Sequence, residues 1–262
     1  MKQTIFFILS LYHFFILSTA SAQELYIGSF YVTSTTEEAN YGDGGDTWAN
    51  RMPVIADIFN FELPDILGLQ SATETQLARL SRSMSSYSRA GDILYKKTIE
   101  LDSLGTVDGM PEGSTCSWAK LQKDGTAFYV FNICFSASVA TSSSTRVRNA
   151  IGEINTENLP SFIVGYLGVS ETKTAYLRLA PRHNDCFKQA PIISAEYGTV
   201  NNFDLEANHE PDRYDFVFAS KNITVKAYGQ LQYGYFTKES DGNYKRRFPS
   251  THFPVMAKVT LP

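Results

Sequence analysis

Few side chains in this 262-residue sequence are both reactive and set where a strand or turn would present them. In PDILGLQSAT, residues 64–73, an apolar run ends at Gln70 and Ser71 just before a helix-forming segment. A small hydroxyl thus stands where the strand delivers its last side chain, and an unassisted hydroxyl is a weak nucleophile. Cys116, Cys134 and Cys186 are three thiols, an odd count that allows one bridge and leaves one cysteine over. The turn KDGT between SWAKL and AFYVFNICF brings Cys116 almost opposite Cys134, so a Cys116–Cys134 disulfide and two free thiols are both open. Asp43 and Asp46 in YGDGGDTW lack the further ligands of a calcium loop. They read as a polar turn in which Asp46 or Thr47 caps the next helix. Arg213 suits an anion or a surface ion pair, and the ion pair is expected. Lys245-Arg246-Arg247 reads as a solvated basic run. Asn222-Ile223-Thr224 is a sequon that matters only in a glycosylating host.

The elements that must carry these residues are mostly strands. LYIGSFYV, DILGLQ, DILYKKT, SWAKL, AFYVFNICF, FIVGYLG, RYDFVFAS, ITVKAYGQLQ and FPVMAKVTL are rich in β-branched and aromatic residues. Asp-Gly at 124–125 tolerates the positive φ of a tight turn and predicts a hairpin. Helical spacing appears at Trp48, Met52, Ile55, Ala56 and Phe59. Further helices are predicted over 73–82, with Leu77 and Leu80 inward, and over 144–156, with Val147, Ile151 and Ile154 on one stripe. The serine-rich pieces 81–91 and 141–145 read as surface loops or helix starts. Strands outnumber helices, and the pattern predicts a layered α+β domain with large mixed sheets.

Residues 1–22 read as a signal peptide: Lys2, then the apolar run IFFILSLYHFFIL, then Ala20-Ser21-Ala22 as a cleavage site. The expectation is an exported chain, periplasmic or extracellular, starting at Gln23 and forming one domain over 23–262. No later segment is apolar enough to span a membrane. A formal net charge of −4 argues against broad electrostatic binding to nucleic acid.

TWANR, PDILGLQ, the SWAKL–AFYVFN hairpin, RYDFVF and HFPV occur in that order, and together they resemble the endonuclease/exonuclease/phosphatase superfamily, particularly its small secreted bacterial members. The resemblance runs from Leu25 to the C-terminus. It implies a four-layer α/β sandwich, two mixed sheets packed face to face with helices outside. It also implies a metal-dependent phosphoesterase, with a divalent cation on a carboxylate and a His–Asp pair beside it. This sequence departs from that pattern at most chemical positions. The family's Gln-Glu strand end is Gln70-Ser71, with Glu74 three residues on. Its aromatic-Asn is Phe30-Tyr31, its Asn-x-His is Asn132-Ile133-Cys134, its Gly-Asp-x-Asn is Gly165-Tyr166-Leu167-Gly168, and its Ser-Asp-His is Ser250-Thr251-His252. Asp215 and His252 survive.

The sequence therefore predicts a catalytically degenerate, exported member that binds an unidentified ligand or protein. The alternative is an active phosphoesterase using Asp215 and His252. The expected pocket residues are Tyr31, Ser71, Asn132, Cys134, Tyr166 and Thr251, beside a vestigial Asp215–His252 pair. No metal site or cofactor is predicted, Mg²⁺ or Mn²⁺ entering only under the alternative. Cys134 is read as a small core residue rather than a nucleophile.

Overall fold

The computed structural model describes residues 23–41, 45–194, 197–206 and 211–262. The segment read as a signal peptide and Asp43 lie outside the described residues. In chain order the strands are β1 (Glu24–Tyr31), β2 (Ile66–Gln70), β3 (Tyr87–Ala90), β4 (Ile93–Lys96), β5 (Glu100–Thr106), β6 (Thr115–Lys123), β7 (Thr126–Cys134), β8 (Ser161–Tyr166), β9 (His183–Asp185), β10 (Ile193–Ser194), β11 (Asp215–Ser220), β12 (Thr224–Gln230), β13 (Tyr235–Lys238), β14 (Tyr244–Arg247) and β15 (Val255–Thr260). The helices are α1 (Trp48–Glu62), α2 (Glu74–Ser83), α3 (Ala140–Ile154), α4 (Thr174–Leu179) and α5 (Cys186–Gln189).

Two mixed sheets carry the fold, one in the order β10-β12-β15-β1-β2-β4-β3 and the other in the order β5-β6-β7-β8-β11-β9. Their central strands are apolar on both faces because both faces are covered. In β2, Ile66 turns inward to meet Ile27, Val130, Val164 and Val217 between the sheets. Leu67 and Leu69 turn outward and pack under α1 and α2 with Phe59, Leu77 and Leu80. On the far side, Phe131, Ile163 and Phe216 pack under α3 and α4 with Val147 and Tyr176. Burying each such large side chain contributes about 1.5–3 kcal/mol. Helix, sheet, sheet and helix form the four layers that the resemblance implied.

The turn at Asp124-Gly125 takes φ values of 45° and 85°, the positive pair that a two-residue hairpin requires. Helix α2 starts one residue later than its periodicity predicted, because Thr73 serves as the cap. Its side chain accepts from the Gln76 amide while Gln76 answers the Thr73 amide, a reciprocal capping box. Helix α3 begins at Ala140, so the run TSSST lies inside its first turns. Residues 81–91 are not a loop, since they run from the end of α2 through β3.

Four local expectations are corrected. Thr115, not Cys116, pairs with Cys134, and Cys116 pairs with Ile133. One residue of register turns a side chain to the opposite face, so Cys116 packs under α3 while Cys134 lies on the inner face with Asn132, and both thiols are free. Alkylation of the denatured protein without reductant is expected to add three labels to the intact mass. A mass showing only one label would restore the bridge. Arg213 does form an ion pair, but a buried one, its Nη2 lying 2.8 Å from Asp185 Oδ2. Arg247 is likewise buried, its Nη1 3.0 Å from Asp46 Oδ2, so the run 245–247 is not simply solvated. Thr47 occupies the cap position of α1 without a side-chain hydrogen bond, and Asp46 serves the ion pair instead. Among the described residues, no helix is long and apolar enough to cross a membrane.

Candidate functional site

One end of the sandwich gathers most of the residues singled out in the sequence. Cys134, Tyr166 and Asp215 stand in one cross-strand row at the ends of β7, β8 and β11. From the other sheet, Tyr31 and Gln70 are register partners at the ends of β1 and β2. His252 arrives in the segment between β14 and β15, where it bridges to Val200. The two sheets are locked together just beneath by a chain of buried amides. Ser29 Oγ donates to Gln70 Oε1 (3.2 Å), Gln70 Nε2 to Asn132 Oδ1 (2.6 Å), and Asn132 Nδ2 to the Leu69 carbonyl (2.9 Å). Gly68 is required here: a Cβ on it would lie 2.6 Å from Asn132 Oδ1. Asn132 thus acts as a strut between sheets rather than as a group lining a cavity.

His252 Nδ1 lies 2.8 Å from Asp215 Oδ2, so the pair is assembled and buried. It is also roofed by aromatic rings. Tyr31 stacks on the imidazole at 4.1 Å between centroids and 18° between planes. Tyr166 meets it edge to face at 5.2 Å and meets Tyr31 at 5.0 Å. Thr251 is fixed by Thr33, whose Oγ1 is 2.6 Å from Thr251 Oγ1 and accepts from the Thr251 amide at 3.1 Å. Ser250 Oγ donates to the Tyr31 carbonyl and ties the His252 segment to the end of β1.

The strand end at Ser71 is occupied by a group the sequence reading missed. Glu37, from the segment after β1, lays its carboxylate on Ser71. Glu37 Oε2 accepts from Ser71 Oγ, from the Ser34 amide (2.9 Å) and from Ser34 Oγ (3.0 Å), while Oε1 accepts from the Tyr31 hydroxyl (2.5 Å). The Glu37 amide in turn donates to Ser34 Oγ at 3.1 Å, which completes a Ser-x-x-Glu reciprocal turn. That pattern at residues 34–37 was readable in the sequence, although its meeting with Ser71 was not. Burial by itself would raise the Glu37 carboxyl; the hydrogen bonds from Ser71, Tyr31 and Ser34 outweigh it and hold the pKa below the ordinary carboxylate value. Burial, reinforced by the bond to Glu37, drives the Tyr31 phenol well up. Ser71 itself has φ of 52°, an uncommon backbone region for a residue with a side chain. Glu74, the other carboxylate considered for this place, turns away and pairs with Arg89 at 2.6 Å on the exposed surface.

Two cavities flank this partition. The first, about 540 Å³, is lined by Tyr31, Glu37, Tyr41, Tyr166, Val200, Asn202, Asp212, Tyr214, Thr251 and His252. The second, about 460 Å³, lies on the Ser71 and Cys134 side and is chiefly apolar, with Leu69, Leu77, Val107 and Met110 in its wall. Cys134 faces this second cavity, not the one that holds His252. Burial pushes its thiol up to about 12, which leaves little thiolate for nucleophilic attack near neutral pH. Tyr41, Asn202 and Asp212 were not anticipated, because they sit on irregular segments with no periodicity to mark them; Tyr214 lies in RYDFVFAS, which read as a strand, and immediately precedes β11.

A divalent cation of the Mg²⁺ or Mn²⁺ class needs several oxygen ligands, usually including a carboxylate. Among the described residues, no group of three or more His, Cys, Asp or Glu side chains is arranged to hold a metal ion. An ionised carboxylate has about four acceptor positions. Three donors crowd Glu37 Oε2, namely the Ser71 hydroxyl and the amide and hydroxyl of Ser34, and the Tyr31 hydroxyl engages Oε1. The residues present do not fit such an ion.

No family model matches the sequence, and no curated protein is similar to it in sequence. Solved structures share its architecture. An endonuclease/exonuclease/phosphatase family protein from Bacteroides thetaiotaomicron matches with a TM-score of 0.83 and 24% identity, over 92% of this chain and 99% of that one. A mannosyl-6-phosphatase from the same species matches with a TM-score of 0.80 and 24% identity, over 90% of this chain and 99% of that one. An endonuclease/exonuclease/phosphatase from Bacteroides vulgatus matches with a TM-score of 0.75 and 17% identity, over 92% and 100%.

Proposed function

We propose that this chain, which has the endonuclease/exonuclease/phosphatase fold, is an exported protein that binds a ligand in the cavity beside His252 without hydrolysing it. The observation that carries this reading is the stacking of Tyr31 on His252 at 4.1 Å, with the Tyr31 hydroxyl holding Glu37 over Ser71. Tyr31 covers one face of the imidazole, and the Glu37 carboxylate at the strand end is engaged by hydroxyl and amide donors instead of standing open to a cation. Aromatic rings mixed with a few polar groups suit the retention of a small molecule. Export rests on the leader-like composition of residues 1–22. The intact mass taken for the thiols also reports on it, because a processed chain begins at Gln23.

One observation favours a second reading, an active phosphoesterase. The Asp215–His252 pair is intact at 2.8 Å, and a neighbour in fold is a mannosyl-6-phosphatase. The discriminating measurement is hydrolysis of p-nitrophenyl phosphate, bis-p-nitrophenyl phosphate and mannose 6-phosphate by purified protein, with Mg²⁺ or Mn²⁺ and with chelator, beside His252→Ala. The expected result is no turnover above that of the variant. Metal-dependent turnover that disappears in His252→Ala would replace the binding reading with the enzymatic one.

A further inference from the structure

We propose that the 540 Å³ cavity beside His252 takes an organic ammonium ion, held by tyrosine rings and by the carboxylates of Glu37 and Asp212. The inference rests on the binding reading above and names its ligand class. Four tyrosines line the cavity, Tyr31, Tyr41, Tyr166 and Tyr214, and no lysine or arginine does so among the described residues. An aromatic ring carries negative potential on its face and attracts a cation set against it. The fixed charges act in the same direction. The donors to Glu37 are hydroxyls and an amide, which delocalise its negative charge without cancelling it. Those bonds also keep the carboxyl below its ordinary pKa, so it is ionised near neutral pH. Asp212 adds a second carboxylate at the wall. Asp215 is paired with His252, so that pair supplies at most a balanced charge.

A phosphate ester, the substrate class of the fold neighbour, would bring two negative charges into this field with no guanidinium or ammonium to meet them. A neutral sugar would stack on the rings but leave the carboxylates without a counter-charge. An alkylammonium group answers both the rings and the carboxylates. Its breadth also suits a cavity of this size better than a bare metal ion, which would need ligands clustered at about 2.0–2.6 Å.

The test is calorimetric titration of the purified protein with choline and with its uncharged isostere, 3,3-dimethylbutan-1-ol, beside mannose and mannose 6-phosphate. Choline is expected to bind at least about tenfold more tightly than the isostere, as a desolvated cation–π site would give. Asp212→Asn, a change at a half-buried wall residue, is expected to weaken choline several-fold while leaving the isostere unaffected; circular dichroism verifies that the variant is folded. Equal binding of choline and isostere, no heat with choline at millimolar concentration, or binding of mannose alone would each overturn the ammonium assignment. Mannose binding without turnover would still leave the binding reading standing. Hydrolysis of mannose 6-phosphate would instead remove that reading, and the ammonium assignment with it.

Discussion

Replacing Arg51 with methionine is expected to lower the free energy of unfolding by about 3–5 kcal/mol, the range found when one member of a buried charged pair is removed. Arg51 is fully buried in α1 and acts as a hub rather than as a simple ion pair. Its Nε donates to the Asp46 carbonyl (2.9 Å), its Nη1 to the carbonyls of Val32 (2.8 Å) and Pro249 (3.1 Å), and its Nη2 to the Thr33 carbonyl (3.0 Å) and to Glu38 Oε2 (2.5 Å). These acceptors belong to three segments distant in sequence: the one after β1 that carries Glu37, the one before α1, and the one that delivers His252. Methionine nearly matches the length of the side chain and keeps its apolar stem, but it leaves those carbonyls and Glu38 without their donor. Lysine is not a substitute, because one ammonium cannot reach acceptors spread around a planar fork. Urea unfolding followed by circular dichroism measures the effect. A loss below about 1 kcal/mol for the methionine variant would mean that the segments hold one another and that Arg51 is incidental.

The second large effect is expected at Asp185. This buried carboxylate accepts from Arg213 Nη2 (2.8 Å) and Nη1 (3.3 Å), from the Tyr176 hydroxyl (3.0 Å) and from the Phe187 amide (3.0 Å). The guanidinium also lies 4.2 Å from the ring centroid of Phe187. Asp185→Ala leaves a buried cation whose remaining acidic partner among the described residues is Glu171, 3.4 Å away, and it is expected to cost about 3–5 kcal/mol. Removing both charges is a different matter. Asp185→Leu combined with Arg213→Met takes away the desolvation of two ions along with their attraction, so the double variant is expected to be more stable than Asp185→Ala. A double-mutant cycle from urea midpoints checks this. A double variant as unstable as the single one would show that the hydrogen bonds to Tyr176 and Phe187, rather than the charges, hold this corner of the fold.

Both predictions concern groups whose importance could not be read locally. Arg51 lies in TWANR, one of the segments that resembles the superfamily, yet nothing in its neighbours announces that it is buried. Arg213 and Arg247 looked like surface charges because charged residues usually are. Each is buried where a carboxylate distant in sequence, Asp185 or Asp46, comes to meet it.

What the sequence determined by itself is whatever depends on short-range pattern and on residue type. Alternating and continuous apolar runs marked the central strands, helical spacing marked α1, α2 and α3, and Asp124-Gly125 marked the hairpin. The order of five short segments pointed to the sandwich, and the change from glutamate to Ser71 was visible without coordinates. The tertiary structure alone decided which of these residues meet. Glu37 reaches Ser71 from 34 residues away, and the ring of Tyr31 covers His252 although the length of the chain separates them. The face on which Cys116 lies turned on a single step of register between β6 and β7. Periodicity reports the environment of a residue along its own element. Register and the approach of irregular segments come from packing two sheets against each other, and that packing is a property of the whole chain.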